Sequence, residues 1–261
     1  MTDGEEAASP PSDASALVRP PLRFSGIIAS SGRLYAACLR PLILLFASIG
    51  AVIFLFPALI FFDVGDNLAI SLYLLAGVVL PSTLLSLGFA VASVVLARYL
   101  RGEDHRVRPS LLALRARRRD LLVAGLMSGM LALALVVFFG PLGSLLIALF
   151  YGPPILVQAI ALEDRPIQDA WARTRAMMQG HWARILMALL TVALGLGILA
   201  TTMLGVGGEL AADLGRPARV AIFIVLELVI FGFGYSFLAA ANLVCYLDVN
   251  ARAGDDSAAV E

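Results

Sequence analysis

One carboxylate lies within a long apolar stretch of the sequence: Glu227, in the run V-L-E-L-V-I-F. A charge at the centre of a membrane span costs roughly 2.5–3.5 kcal/mol on insertion scales, and less toward the interface. Glu227 therefore predicts a proton or cation site, or a polar contact with a neighbouring helix. A protonated or outward-turned Glu without activity is the alternative. Asn242, in the same apolar run, favours an interhelical hydrogen bond.

Other residue types that carry chemistry do not occur at the spacings that metal sites or nucleophilic catalysis need. His105, His181, Cys38 and Cys245 are scattered singly along the chain. The sequence contains no familiar hydrolase, zinc-protease or phosphate-loop motif. We therefore expect no catalytic residue, no metal, no cofactor and no nucleic-acid partner.

The densest charge cluster is basic and consists of Arg115, Arg117, Arg118 and Arg119. Near an anionic bilayer leaflet each such residue contributes on the order of 1 kcal/mol of attraction. The cluster predicts contact with anionic inner-leaflet head groups or with an acidic protein partner on the cytoplasmic face. A role in topology alone is the alternative.

The composition indicates a membrane protein, because 60% of the 261 residues are hydrophobic, against ~45–50% in soluble domains. We predict an all-α, polytopic membrane domain over residues 22–252, with disordered tails at 1–21 and 253–261. Six stretches reach the ~20 residues that cross a bilayer. They are Leu42–Phe62, Leu68–Ala97, Leu121–Phe139, Leu142–Leu162, Ala183–Val206 and Ala218–Leu247.

Arginine counts predict how these six spans are oriented. The terminal segments and the connections on their side of the bilayer contain 17 arginines, whereas the opposite connections contain 2. By the positive-inside rule, both termini should lie in the cytoplasm of a bacterial inner membrane, with the spans paired as three hairpins. A basic, partly amphipathic segment precedes each hairpin, and the sequence leaves open whether the hairpins are repeats.

Small residues at four-residue steps predict close helix packing in several spans. One such pair is Gly125 and Gly129, and a second series is Ala193, Gly197, Thr201 and Gly205. A third series is Gly232, Ser236 and Ala240.

Residues 162–186 form the most amphipathic segment of the chain. Ile167, Ala170, Trp171, Thr174 and Met177 recur at three- and four-residue steps, which places them on one helical face. With its tryptophans and arginines, this helix is expected to lie in the membrane interface. The side chains expected to contact lipid or a partner there are those of Trp171, Arg175, Trp182 and Arg184.

The same segment resembles the membrane domain found N-terminal to some bacterial glycerophosphodiester phosphodiesterases, and its free-standing relatives. The matching positions are Glu163, Ala170, Thr174, Arg175, Gly180, Trp182 and Arg184, followed by Tyr246, Asp248 and Arg252, and preceded by Arg33-Leu34-Tyr35. Asn250 departs from the pattern, which has an arginine there. The resemblance implies a six-helix membrane domain, and it implies no phosphodiesterase activity because that activity belongs to a separate soluble barrel.

Three functions are compatible with these features. The favoured one is a non-enzymatic scaffold that binds a partner or lipid through its cytoplasmic segments. A small transporter or channel-like protein using Glu227 is the main alternative. An intramembrane enzyme is disfavoured because the spans contain few polar residues at one depth.

Overall fold

The computed structural model describes residues 22–60, 78–139, 153–179 and 181–258, and every regular element in these ranges is helical. The N-terminal tail predicted over residues 1–21 lies outside them. The helices are α1 (Phe24–Ala37), α2 (Leu39–Ile60), α3 (Leu80–Leu100), α4 (Val107–Ala113), α5 (Arg118–Phe139), α6 (Pro153–Leu162), α7 (Ile167–Met178), α8 (Trp182–Leu210), α9 (Arg216–Ile230) and α10 (Ser236–Ala258). A 3-10 turn, Leu114–Arg117, joins α4 to α5, and a π-helical turn, Phe231–Tyr235, joins α9 to α10.

Within the described ranges, three continuous helical stretches are long and apolar enough to cross a membrane: Leu80–Leu100, Ala183–Glu209 and Ala221–Ala253. A fourth results if α1 and the first part of α2, which meet at an angle of 87°, count as one broken span. The described part of the chain is thus all-helical, with three or four candidate membrane-spanning helices, as in a multi-pass membrane protein. The predicted span Leu121–Phe139 corresponds to α5, whereas Leu68–Ala97 and Leu142–Leu162 fall partly outside the described residues.

The two ends of the described chain pack against each other. Helix α1 lies antiparallel to α10, because Leu22 bonds Asp248 at one end of the pair and Tyr35 meets the ring of Phe237 at the other, with ring centroids 5.5 Å apart. The basic, partly amphipathic segment that precedes the first predicted hairpin is therefore helical, and its buried face, which includes Ile27, is covered by protein. Helix α10 continues through Ala258, into the segment predicted as a C-terminal tail.

Glycines permit close approach where α5 crosses α3. A Cβ added to Gly129 would lie 2.7 Å from the carbonyl oxygen of Val79, and one added to Gly125 would lie 3.1 Å from Cγ2 of Thr83. The packing predicted for this pair is confirmed. Gly197 and Gly205 of α8 differ, since nothing lies within 4 Å of an added Cβ. The small-residue series in α8 is therefore not a packing surface within the described residues.

Candidate functional site

The basic segments of the chain come together at one end of the structure, called here the basic end. Three contacts between residues distant in sequence define it. Leu22 meets Asp248, Arg117 meets Asp164, and Tyr246 meets Glu163. The turn between α8 and α9, which contains Gly215, lies at the opposite end because α8 runs the full length between the two. The helical hairpin predicted for the last two spans is thus present.

Asp248 of α10 is the centre of the first polar cluster, and its side chain is only 1% exposed. Its Oδ2 accepts a hydrogen bond from Nε of Arg184 at 2.9 Å and one from Nε of Arg252 at 3.3 Å. Its Oδ1 accepts a hydrogen bond from the backbone N–H of Leu22 at 2.6 Å. Both arginines also donate to the carbonyl oxygen of Leu22. The backbone N–H and the carbonyl oxygen of Leu22, just before α1, are therefore both held by side chains of α8 and α10.

Glu163, which directly follows α6, is the centre of the second cluster. Its Oε1 accepts a hydrogen bond from the hydroxyl of Tyr246, and its Oε2 accepts one from Nε of Arg165 at 2.6 Å. Nε of Arg173 lies 3.5 Å from Oε1. Burial raises the pKa of the Glu163 carboxyl, but the hydrogen bonds from Tyr246 and Arg165 and the nearby arginine charges outweigh it, so the net pKa is lowered. The carboxylate is thereby held ionised and tied to α7 and α10.

A third contact joins the basic cluster to the α6–α7 connection. Nε of Arg117 donates to Oδ1 of Asp164 at 2.6 Å, and a second guanidinium nitrogen donates to the Asp164 carbonyl oxygen. The hydrogen bond from Arg117 lowers the pKa of the Asp164 carboxyl. Asp164 has φ of +54°, a left-handed conformation that Asp adopts more readily than most residues. Because the pair is exposed, it orders the loop more than it stabilises the fold.

Five positions of the sequence motif meet in these clusters: Glu163, Arg184, Tyr246, Asp248 and Arg252. Thr174 does not join them, because its hydroxyl is buried without a hydrogen-bond partner among the described residues. Gly180, another motif position, lies outside those residues.

Sequence reasoning missed three contributors to the clusters. Asn250, which stands where the family pattern has an arginine, accepts a hydrogen bond from Arg173. Arg173 is the second contributor, and the backbone of Leu22 is the third. No signal in the sequence could have indicated the Leu22 peptide, whereas Arg173 was recognisable as a charge off the apolar stripe of α7.

The side chains predicted to contact lipid or a partner divide into two groups. Arg117 and Arg184 are occupied by ion pairs within the chain. Arg115, Arg118, Arg119 and Arg175 are exposed at the basic end. Trp171 is 55% exposed, although its α7 neighbours Ala170 and Met177 are fully buried. The side chain of Trp182 is not among those the structure describes.

The two polar residues predicted within the last span do not form one site. Glu227 is partly buried in α9, and Asn242 is buried in α10. They are about 15 residues apart on nearly continuous helix, which corresponds to roughly 22 Å. Within the described ranges Glu227 forms no hydrogen bond or ion pair through its side chain, and no group of His, Cys, Asp or Glu there could hold a metal ion.

The arrangement at the basic end is suited to holding helices together rather than to transferring protons. Asp248 and Glu163 each face two or more arginines, which stabilise the ionised carboxylates in partly buried surroundings. Comparison of the chain with protein-family models, with curated proteins and with solved structures found no match.

Proposed function

We propose that this chain is a non-enzymatic scaffold of the bacterial inner membrane, with six spans and both termini in the cytoplasm. The observation that carries the proposal is the assembly of separate basic segments at one end. There, Asp248 and Glu163 fix α1, α6, α7, α8 and α10 relative to one another. A fixed basic surface at the cytoplasmic side is suited to binding an acidic partner or anionic lipid head groups.

The clusters also support kinship with the membrane domain of glycerophosphodiester phosphodiesterases. If the resemblance were accidental, the motif residues would not be expected to contact one another. Instead, Glu163 bonds Tyr246, and Arg184 bonds Asp248, across 83 and 64 residues of sequence. On this proposal the shared motif encodes how the helices are joined at the cytoplasmic end, and no catalytic step is attached to it.

A small transporter remains the second candidate function because Glu227 lacks an ion-pair partner among the described residues. Its distance from Asn242 counts against a shared polar pathway. The test is Glu227→Gln, with Asn242→Ala as the matched change in the same span. Transport would be indicated by a loss of proton or cation flux into proteoliposomes with the first variant alone.

Orientation is tested by cysteine labelling in intact cells. Cys38 and Cys245 are both buried and free, so the native background should be low. Ala116→Cys marks the basic end and Asp213→Cys the opposite end, and both positions are exposed. An impermeant maleimide should label position 213 from outside and position 116 only after lysis. Labelling of position 116 in intact cells would refute the proposed orientation.

Partner binding is tested by affinity purification in a mild detergent. A stoichiometric protein that is retained by the native chain and lost from an Arg115→Gln, Arg175→Gln variant would establish a scaffold. A chain that purifies alone, while Glu227→Gln abolishes an ion flux, would refute it.

A further inference from the structure

Helix α5 exposes one continuous face over residues 118–131. Its exposed positions recur in adjacent pairs every four residues, which places them on one side of an α-helix. The first pair is Arg118 and Arg119, and all that follow are apolar. The apolar members are Leu122, Val123, Leu126, Met127, Met130 and Leu131. We call these six residues the α5 stripe.

The opposite face of α5 is fixed against α3, so the stripe cannot turn inward. Leu121, Ala124 and Ser128 are buried there. Gly125 and Gly129 bring the two backbones together, and the Thr83 hydroxyl lies 3.3 Å from the Gly125 carbonyl oxygen. The exposure of the stripe is therefore a property of the packed structure.

Three arginines at the start of the stripe have no partner within the described residues. Arg115, Arg118 and Arg119 are exposed and form no hydrogen bond or ion pair there. Most other arginines of the same connection, with the exception of Arg108, face carboxylates. Arg101 pairs with Glu103 at 2.9 Å, and Arg117 pairs with Asp164. Among the described residues, positive charge is thus left uncompensated at the point where the apolar stripe begins.

The length of the stripe matches one leaflet of a bilayer. From Leu122 to Leu131 the helix rises roughly 14 Å. Half of a hydrocarbon core of ~30 Å is about 15 Å. A phospholipid that lay along the stripe would place its acyl chains against the leucines and methionines, and its phosphate at the height of the arginines.

We propose that the α5 stripe and Arg115, Arg118 and Arg119 form a binding site for an anionic phospholipid of the cytoplasmic leaflet. The inference rests on the membrane placement proposed above, and it names the lipid as the occupant of this surface. The charge is complementary to an anionic head group, because guanidinium groups bind phosphate oxygens in bidentate fashion. A zwitterionic head group carries a positive group that offsets its phosphate charge. A lipid with such a head group should therefore bind to these arginines more weakly.

The test uses the purified full chain, stripped of lipid in detergent, with phosphatidylglycerol or phosphatidylcholine of identical acyl chains added. Native mass spectrometry measures how many lipids are retained and how tightly. The native chain should prefer phosphatidylglycerol. Changing Arg115, Arg118 and Arg119 together to Gln should weaken its binding by about tenfold or more. The same change should leave the binding of phosphatidylcholine nearly unchanged.

A matched variant controls for charge. Changing Arg23, Arg101 and Arg106 together to Gln removes the same charge from the same end of the molecule. These residues lie outside the stripe, and Arg101 and Arg106 face carboxylates. This variant should still prefer phosphatidylglycerol over phosphatidylcholine. Equal loss in both variants, or no preference in the native chain, would overturn the proposal. Because positive charge in a first helical turn opposes the helix dipole, Arg118→Gln and Arg119→Gln should not weaken folding.

A second measurement tests whether the α5 stripe contacts the acyl chains of lipids. The chain is given a single tryptophan by Leu126→Trp together with Trp171→Phe and Trp182→Phe. Its fluorescence should be quenched by lipids brominated in their acyl chains. Absence of quenching, or a lipid-independent dimer with the stripe at its interface, would overturn the proposal. The result for the lipid site can be distinguished from the result for the proposed function. Correct cysteine topology without lipid preference refutes the lipid site alone, and inverted topology with preserved preference refutes the orientation alone.

Discussion

Asp248 and Arg184 form an ion pair of 2.9 Å between Oδ2 and Nε, although 64 residues of sequence separate them. The aspartate is almost fully buried, whereas the arginine is 29% exposed. The pair joins the last helix to the start of α8. Asp248 also accepts from the backbone N–H of Leu22, and Arg184 donates to its carbonyl oxygen. The N-terminal helix therefore depends on a carboxylate near the other end of the chain.

Replacing Asp248 with Asn should destabilise the protein by roughly 2–3 kcal/mol. This is less than the roughly 3–5 kcal/mol expected for a fully buried pair, because the arginines keep some contact with water. Thermal unfolding in detergent measures the effect. Asp213→Asn is the control, since that aspartate is exposed at the opposite end. An unchanged midpoint for Asp248→Asn would show that the cluster contributes nothing to folding.

Replacing Gly129 with Ala should destabilise the contact between α3 and α5. The added Cβ would lie 2.7 Å from the Val79 carbonyl oxygen, so one helix must shift, at a cost of roughly 1–3 kcal/mol. Gly195→Ala is the matched control, because no atom of the described residues lies within 4 Å of its Cβ position. It should be neutral or slightly stabilising. Equal unfolding midpoints for the two variants would contradict the close approach.

Sequence spacing predicted the Gly125–Gly129 contact because a four-residue step defines one face of one helix. The same reasoning was wrong for Gly197 and Gly205, where no described residue lies within 4 Å of an added Cβ. Periodicity tells which residues share a face, and it does not tell which other helix, if any, covers that face. In an Ala- and Gly-rich chain, small residues also occur on uncovered faces.

The candidate site shows the same limit. Glu163, Tyr246 and Asp248 were recognisable individually, through the resemblance. Their pairing is a property of how α1, α6, α8 and α10 assemble, and this follows from tertiary packing that no local pattern encodes. Arg173 was visible only as an off-stripe charge, yet it bridges toward both Glu163 and Asn250.

Acid should weaken the second cluster through Glu163. The pKa of this carboxyl is lower in the folded protein than its ordinary value of 4.5. Its contribution to stability is therefore fully present above pH 4.5, and it is lost as the pH falls through the lower folded value. Glu163→Gln should be less stable than the native chain at pH 7, and the difference should shrink as the pH drops below 4.5. A difference that stays constant from pH 7 to pH 3 would contradict the ionised, arginine-bound state.

Trp171 should insert into the membrane interface. It is 55% exposed on α7 at the basic end, while Ala170 and Met177 on the same helix are buried against the protein. An indole ring of this kind gains most at the level of the lipid head groups, where its apolar body and its N–H are both accommodated. In a Trp182→Phe background, its fluorescence should be quenched by lipids brominated near the head group and less by lipids brominated at the chain ends. Trp171→Glu should increase labelling of an adjacent Ala172→Cys by a water-soluble maleimide, whereas Trp171→Phe should not. Strong quenching by aqueous iodide in proteoliposomes, without quenching by either brominated lipid, would place the ring in water instead.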